Sequence, residues 1–456
     1  MLSSNFKRLV VAVLAACAIY GSAFALRNVP ALQALADQAG DVHSLLFADR
    51  HAPGPGVPPF VYVDIDQQTN VALGRPVITP RNKLARAMAQ IAAARPALVM
   101  LDVDVTWPGP REPAAELRAV LERLGRGDVP ILLFRVPLSP DQPGLPPHFR
   151  PGPLDAIVAA SSSLMWVSAA ALDSGDRVAR RAPLWFVGCR GNEPMVLPGA
   201  GVAAWAILRQ GIEAARRQLE DGLSKAARTC ATGGTAVGGR DAATAALTLN
   251  IKGKSWRLRN AAPDNGFTYS MGWKLPDGRR RPEVTAPGTP RLPTLTILPA
   301  GPFMQAKGRP VDPSLFKGAA VIIGSSAPDH RDIHLTPLGD MPGALIITNQ
   351  IRSLIEHGPG RPNDFWYGLA VTIACTLITF IGWLGLKLMF PNLPPIIVQI
   401  LTVAIAGLWS LALALLPGTS TAILYPLTQY AVIIVLMLAG PRSQAHNSKK
   451  AEIAKT

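Results

Sequence analysis

The chain has 456 residues, of which only 16% are charged, and it combines a net charge of +15 with a positive mean hydropathy of +0.23. This length allows a sizeable core and two domains, since domains usually contain about 100 to 200 residues. The composition argues against a chain that is wholly dissolved in water and indicates that part of it lies in lipid.

The first predicted element is an apolar helix at the N-terminus. Residues 9–26 carry no charge and follow Lys7 and Arg8. At about 1.5 Å per residue, this run is just long enough to cross a hydrocarbon layer of roughly 30 Å. Ala23-Phe24-Ala25 also has the small-x-small pattern of a cleavage site. The segment is either a transmembrane anchor or a signal peptide, and its length favours the anchor, with residues 1–8 in the cytoplasm.

The long segment 27–365 begins with a strand, helix and strand pattern. Phe60–Ile65 is a short run rich in β-branched and aromatic residues, and Ala97–Val103 is a second one. Between them, Thr79 and Pro80 are expected to be the N-cap and the first residue of a helix. This βαβ pattern predicts two parallel strands that are neighbours, joined by a right-handed crossover.

The same alternation continues along the segment, which is therefore predicted to be an α/β domain. The further predicted elements are helices over 113–124, 200–217 and 347–358, strands over 131–136 and 319–323, and two strands within Leu247–Arg259 around Lys252-Gly253-Lys254. Residues 218–245 are small and polar, so we expect a loop there.

Four acidic residues follow the first two strands. Asp64 and Asp66 share one face of the first strand, and Asp102 and Asp104 share one face of the second, because side chains alternate. On neighbouring strands the four carboxylates converge at the carboxyl edge, where open α/β sheets bind ligands. The alternative, which we favour, is that these acids accept hydrogen bonds from nearby backbone N–H groups and serve the fold.

Carboxylate oxygens at this edge also suit Ca²⁺ or Mg²⁺. The spacing of the acids matches no EF-hand loop, however. A metal is an open alternative, while our prediction is a chain with no metal and no cofactor.

A polar loop, "GSSAPDHRDIHLTP", follows the strand over 319–323. It brings Ser, Asp and His within a few residues, as a hydrolase does. It lacks the G-x-S-x-G motif, and Pro328 and Pro337 interrupt any helix through His330 and His334. We therefore expect no nucleophilic triad and no enzymatic activity.

Two of the four cysteines lie in the segment 27–365. These are Cys189 and Cys230, whereas Cys17 and Cys375 lie in apolar segments. A pair of cysteines in an oxidising compartment is a candidate disulfide. We predict that Cys189 and Cys230 form one.

Three apolar segments close the chain, at 366–390, 395–416 and 422–440, and each is long enough to span a membrane. Cations lie near the end of the first span, at Lys387, and in the tail 441–456. Cytoplasmic loops are enriched in Lys and Arg, so the tail is predicted to be cytoplasmic and 27–365 to lie outside the membrane.

The net charge divides between these compartments. Residues 27–364 carry 38 Lys and Arg against 29 Asp and Glu, a net +9, and the rest of the chain carries the other +6. A domain outside the cytoplasm meets no nucleic acid. Its positive charge is better explained by anionic lipid headgroups or by an acidic protein partner.

The order of these features resembles the type-two CHASE domain, the extracellular sensory module of bacterial receptors. The resemblance covers about 42–440 and ends in the three membrane helices. It is carried by "VYVDID", "TPRNKLA", "ALVMLDVDV", "ALDSGDRVARRAPL" and "AAVIIGSSAPDHRDIHLTPLGDMPGALIITNQI". The resemblance implies that Asp332, Thr336, Pro337 and Gly343 belong to a recurring motif of a fold-forming or pocket-lining loop. The candidate pocket or sheet-edge residues are therefore Asp64, Asp66, Asp102, Asp104, Gly324, Ser325, Asp332 and Thr336.

Receptors of that family carry a kinase, cyclase or diguanylate cyclase domain after the last helix, and the tail 441–456 is too short for one. The expected function is a bacterial inner-membrane sensor or signal relay, with a periplasmic CHASE-like domain that detects an unidentified ligand and acts through a separate partner protein. The alternative is a structural or assembly subunit of an envelope complex, in which the periplasmic domain is a docking surface.

Overall fold

The computed structural model describes residues 2–25, 30–50, 53–107, 115–138, 147–169, 172–173, 176–191, 193–224, 246–259, 265–274, 279, 281–284, 293–305, 312–358, 365–394, 397–398 and 401–402. The chain forms two compact units. The terminal unit comprises Met1–His43 and Arg361–Thr456, and the central unit comprises Ser44–Gly360.

Helices and strands are interspersed along the central unit, as in an α/β fold. The helices are α1 (Leu2–Ala25), α2 (Pro30–Phe47), α3 (Gln67–Ala72), α4 (Arg81–Ala93), α5 (Ala115–Leu124), α6 (Asp155–Ala160), α7 (Ala200–Gln210), α8 (Ile212–Ser224), α9 (Gly301–Met304), α10 (Gly343–His357) and α11 (Phe365–Met389). The strands are β1 (Phe60–Ile65), β2 (Leu98–Leu101), β3 (Ile131–Phe134), β4 (Pro137–Leu138), β5 (His148–Phe149), β6 (Leu164–Val167), β7 (Leu172–Asp173), β8 (Ala179–Arg181), β9 (Trp185–Arg190), β10 (Glu193–Pro198), β11 (Ala246–Ile251), β12 (Lys254–Arg259), β13 (Glu283–Val284), β14 (Leu295–Pro299), β15 (Ala320–Ser325), β16 (Ile333–Thr336) and β17 (Gly339–Pro342).

A seven-stranded sheet in the order β13-β14-β1-β15-β2-β3-β6 is the centre of this unit. Its strands are parallel except for β13, which runs antiparallel to β14. The prediction that β1 and β2 are neighbours is wrong, because β15 lies between them and pairs with both. All three strands are short, apolar and buried, and such strands are physically interchangeable as partners. Hydrophobic periodicity therefore could not reveal this order.

Alternating side chains give the sheet two buried faces. Phe60 and Tyr62 lie on the face that packs against α7 and α10, whereas Val61 and Val63 lie on the face that packs against α4 and α5. Each fully buried apolar side chain contributes roughly 1.5 to 3 kcal/mol relative to an exposed one. Helices on both faces explain why β1, β2, β3 and β15 are almost continuously apolar.

Three predicted helices have different limits in the structure, and the one expected over 347–358 is α10, which begins four residues earlier, at Gly343. Pro80, which was expected to be the first helical residue, is the N-cap of α4. The predicted helix over 200–217 is two helices, because Gly211 has φ 82° and ends α7 after Gln210. The second helix, α8, extends to Ser224 into the predicted loop over 218–245. Its buried Ala215, Leu219 and Leu223 recur every four residues, which is a helical spacing, so the prediction of a loop from residue 218 is wrong as far as Ser224.

The terminal unit contains α1 and α11, which pack against each other. Within the part of the chain that the structure describes, one helical stretch, Thr372–Met389 of α11, is long and apolar enough to cross a membrane. The stretch Leu9–Ser22 of α1 is also apolar but shorter. The predicted spans over 395–416 and 422–440 lie almost entirely outside the described residues, so the transmembrane bundle stays a prediction.

Candidate functional site

The carboxyl ends of β1, β15 and β2 bring acidic residues together. Asp64 pairs in register with Gly324 of β15, and on the other side of that strand the Asp102 N–H donates to the carbonyl of Ile323 at 2.8 Å. Asp64 and Asp102 therefore flank Gly324. We call Tyr62, Asp64, Asp102 and Asp332 the acidic cluster, because the charges of all three carboxylates act on the Tyr62 hydroxyl.

Gly324 is the residue that allows α10 to lie close to this edge. A Cβ atom at Gly324 would be 2.7 Å from the Cβ of Ala344, in the first turn of α10. It would also be 3.5 Å from the Tyr62 ring and from the Cβ of Asp102. Because Gly324 has no side chain, α10 can pack closely against the sheet beside the acidic cluster.

Asp64 is held inside the fold by three hydrogen bonds. It is 1% exposed. Its carboxylate accepts from the Tyr62 hydroxyl at 2.9 Å, from the Ser326 N–H at 2.9 Å and from the Ser326 hydroxyl at 2.6 Å. A buried carboxylate that is satisfied in this way fixes the β1 and β15 ends, which is mainly a structural role.

Asp102 is in a different position. The residue is partly exposed, yet its Oδ2 atom is buried and has no hydrogen-bond partner among the described residues. Burial, and then the negative charge of Asp332, raise the pKa of Asp102 well above its ordinary value. The shift is toward the neutral acid, which offers an O–H donor where an ionised carboxylate offers only acceptors.

The pKa of Tyr62 is also raised well above its ordinary value. Burial is the largest cause, followed by the charge and hydrogen bond of Asp64 and by the charges of Asp332 and Asp102. The phenol therefore stays protonated and donates to Asp64. The cluster gathers negative charge and proton-donating groups at one point of the sheet edge.

Asp332 joins the cluster from the residue before β16, at the base of the β16–β17 hairpin that leads into α10. Its carbonyl accepts from the Gly343 N–H at 2.9 Å, and a Cβ on Gly343 would lie 2.5 Å from Oδ1 of Asp332. The same Oδ1 is 3.2 Å from Nε2 of His334. A carboxylate at the first residue of a helix is favoured by the helix dipole. Asp332 thus links the acidic cluster to the start of α10.

The other two predicted acids serve their own loops. Asp66 is the N-cap of α3 and accepts from the Thr69 N–H at 2.7 Å. Asp104 accepts from the N–H and the hydroxyl of Thr106 at 2.8 and 2.6 Å. The structure therefore divides the four acids into two cluster residues and two local caps.

Ser325 and Thr336 also lie apart from the cluster. Ser325, on the opposite face of β15 from Gly324, donates to the carbonyl of Ile65 at 2.8 Å and lies 2.6 Å from Nδ1 of His330. The other ring nitrogen of His330, Nε2, lies 3.3 Å from the carbonyl oxygen of Pro76. In a Ser-His-Asp triad the corresponding partner is a carboxylate, so Ser325 and His330 do not form a triad. Thr336 donates to the carbonyl of Gly339 at 2.6 Å and closes a turn.

Two residues that hydrogen-bond to Asp64 were not among the site residues predicted from the sequence. Tyr62 lies two residues before Asp64 and shares its face of β1, which was a readable signal. Ser326 had no such signal, because its contact with Asp64 depends on the position of β15 in the sheet.

The described parts of the chain contain no group of three or more His, Cys, Asp or Glu residues arranged to hold a metal ion. Cys17 and Cys375 are free, and Cys189 is disulfide-bonded. Its predicted partner, Cys230, lies outside the described residues.

Comparison with known proteins identifies the family. A family model described as the CHASE2 domain matches residues 11–388, from α1 into α11, rather than the expected 42–440. No curated protein and no solved structure matches the chain. The family match covers most of the sequence, and the parallel α/β sheet agrees with it. The chain therefore belongs to the CHASE2 family of extracellular sensory domains.

Proposed function

We propose that this chain is a bacterial inner-membrane sensor or signal relay, whose CHASE2 domain lies in the periplasm and whose signal passes to a separate partner protein. One observation carries the proposal. The helix α10 begins beside the acidic cluster, and α11, the apolar helix, is the next described element of the chain after α10.

The middle of α10 is tightly held, as a signal-transmitting element requires. The side-chain oxygen of Asn349 accepts from the N–H groups of Ser270 and Met271 at 2.8 and 2.9 Å. Near the end of the helix, the Arg352 guanidinium, 1% exposed, pairs with Glu356 at 3.0 Å. A helix that is fixed along its length responds as one body to a change at its first turn.

The chemistry of the cluster indicates what such a change would be. Binding of a cation, or of a ligand that hydrogen-bonds to Asp102, alters the repulsion between Asp102 and Asp332. The carbonyl of Asp332 accepts a hydrogen bond from the Gly343 N–H, so a change in this repulsion acts on the start of α10. The proposal assigns no catalytic step to these residues.

The membrane topology is part of the proposal. Lys7 and Arg8 lie within α1, directly before its apolar stretch Leu9–Ser22, and Lys387 lies in the last turn of α11. Cytoplasmic placement of these cations supports a central unit outside the membrane. Residues 9–26 then act as an anchor, and N-terminal sequencing of membrane-extracted protein should find the segment uncleaved.

Affinity purification of the full chain from mild detergent, after cross-linking in its own cells, tests the function. We expect a membrane-associated signalling protein to co-purify with the wild type. Asp102→Asn should keep this partner but change its output activity, because Asn can neither ionise when a cation binds nor offer a carboxylic O–H to a ligand. Asp66→Asn is the matched control, since Asp66 is a cap outside the cluster, and it should leave the output unchanged.

The competing function makes a different prediction. A docking subunit of an envelope complex would recover assembly components, and neither Asn variant would alter a signal. That result, or a chain that recovers no partner under cross-linking, would contradict the sensory proposal.

A further inference from the structure

The hairpin of β11 and β12 has a basic outer face. Of the residues Ala246–Arg259, four are Lys or Arg and none is Asp or Glu. In the strand register Thr248 is opposite Arg257 and Ala246 is opposite Arg259, and all four are exposed. The intervening Leu247 and Leu258 are buried in the core on the other face. The hairpin is therefore amphipathic, with Arg257 and Arg259 on the solvent side.

The hairpin packs against the rest of the central unit and is hydrogen-bonded to it. The side chain of Gln218, on α8, accepts from the Asn250 N–H at 2.7 Å and donates to the Asn250 carbonyl at 3.0 Å. The ring of Trp256 stacks edge to face on Trp205 of α7, with centroids 5.8 Å apart. The basic face consequently has a defined position.

The cations of the hairpin form no ion pair with the residues that the structure describes. Arg257 and Arg259 lie on the outer face, and Lys252 lies in the turn. Lys254 is opposite Ile251 on the other face, over the Trp256 ring and 3.9 Å from its centroid. Positive charges concentrated on one exposed hairpin without counter-charges favour a polyanionic partner.

The hairpin lies at the end of the central unit where the chain leaves α10. A Cβ atom on Gly358, the C-cap of α10, would lie 2.3 Å from the Trp256 ring. Glu356, two residues earlier, accepts from the N–H of Gly54, just before β1 begins. This is the amino edge of the sheet. In the sequence only residues 359–364 separate Gly358 from α11, and an extended chain of that length reaches about 25 Å.

We propose that the basic face of the β11–β12 hairpin binds the anionic phospholipid headgroups of the membrane that α11 crosses. We choose phospholipid headgroups as the ligand because their charge is complementary to the basic face and because the chain between α10 and the apolar helix α11 is short. Each Lys or Arg near an anionic surface strengthens binding on the order of fivefold, so Arg257 and Arg259 together orient the domain, and the two Lys residues at the turn add to their attraction. The inference goes beyond the sensory function and needs only that α11 lies in the membrane.

Amide hydrogen exchange of the full chain in nanodiscs tests whether the hairpin binds anionic lipid. One set of discs contains phosphatidylcholine alone, and the other contains phosphatidylglycerol as about a third of the lipid. We expect amides of 246–259 to exchange about tenfold more slowly in the phosphatidylglycerol discs. Raising the salt to about 1 M should remove most of this difference, because screening shortens the Debye length to roughly 3 Å.

The double variant R257Q/R259Q should lose the protection while keeping the melting temperature of the wild type, since both side chains are exposed. The matched control is R75Q/R331Q, which removes the same charge from exposed residues in the loops at the carboxyl edge, and it should retain the protection. Equal exchange in both kinds of disc, loss of protection in the control, or protection by inorganic phosphate with phosphatidylcholine discs would overturn the inference. None of these outcomes bears on the partner experiment.

Discussion

Asp64 and Ser326, 262 residues apart in the sequence, are joined by two hydrogen bonds, at 2.9 Å from the serine N–H and at 2.6 Å from its hydroxyl. This contact fastens the carboxyl end of β1 to the residue after β15. It exists because β15, from late in the chain, enters the sheet between β1 and β2.

Asp64→Asn should destabilise the protein strongly. The substitution removes the charge from three hydrogen bonds and turns an NH₂ donor toward groups that already donate. We expect a loss of about 2 to 4 kcal/mol in the free energy of unfolding. Thermal unfolding followed by tryptophan fluorescence measures it. Asp66→Asn is the control, because Asn caps a helix as well as Asp does, and it should cost less than about 1 kcal/mol. Equal effects of the two changes would argue against the buried contact.

The contribution of Asp102 to the free energy of unfolding should fall as the pH rises from about 4. Its pKa is raised in the folded protein, by burial and then by Asp332, above an unfolded value of about 4. Between these two values the folded state binds more protons than the unfolded state, so the contribution of Asp102 is complete at low pH and lost with rising pH. Asp102→Asn cannot titrate.

The measurement is the difference in melting temperature between Asp102→Asn and the wild type. It should be near zero at pH 4 and grow in favour of the variant up to neutral pH. A difference that stays constant, or that favours the wild type at neutral pH, would show that Asp102 ionises normally.

Gly324→Ala should force α10 away from β15, because the new Cβ would lie 2.7 Å from that of Ala344. Overpacking of this kind costs about 1 to 3 kcal/mol. Ala344→Gly alone should cost about 1 kcal/mol of helix propensity. In the double variant the removed methyl makes room for the added one, so the two costs should not add. Simple additivity in the double-mutant cycle would mean that the helix relaxes without strain.

Cys189 and Cys230 should be recovered as one linked peptide from unreduced protein by mass spectrometry. A loop of about 40 residues closed in this way contributes about 4 kcal/mol in the chain-entropy description. Cys189→Ser should lower the melting temperature accordingly, with Cys375→Ser, at a free thiol, as the control. A free Cys230 thiol in unreduced protein would rule the pairing out.

The local elements were predictable because each depends on neighbours in the sequence. The strand β1 is a run of β-branched and aromatic residues, and the turn Lys252-Gly253-Lys254 lies between two antiparallel strands as predicted. The boundary between α7 and α8 was missed, because apolar periodicity continues on both sides of Gly211 while its positive φ breaks the helix.

The sequence by itself determined the α/β class, the apolar terminal helices and the placement of acids at strand ends, since composition and periodicity are local properties. Only the tertiary structure decided which acids meet. The insertion of β15 put Gly324 between Asp64 and Asp102, brought Asp332 to the start of α10, and left Asp66 and Asp104 as caps. Strand order depends on the packing of interchangeable apolar surfaces across the whole domain, and no short stretch of sequence records it.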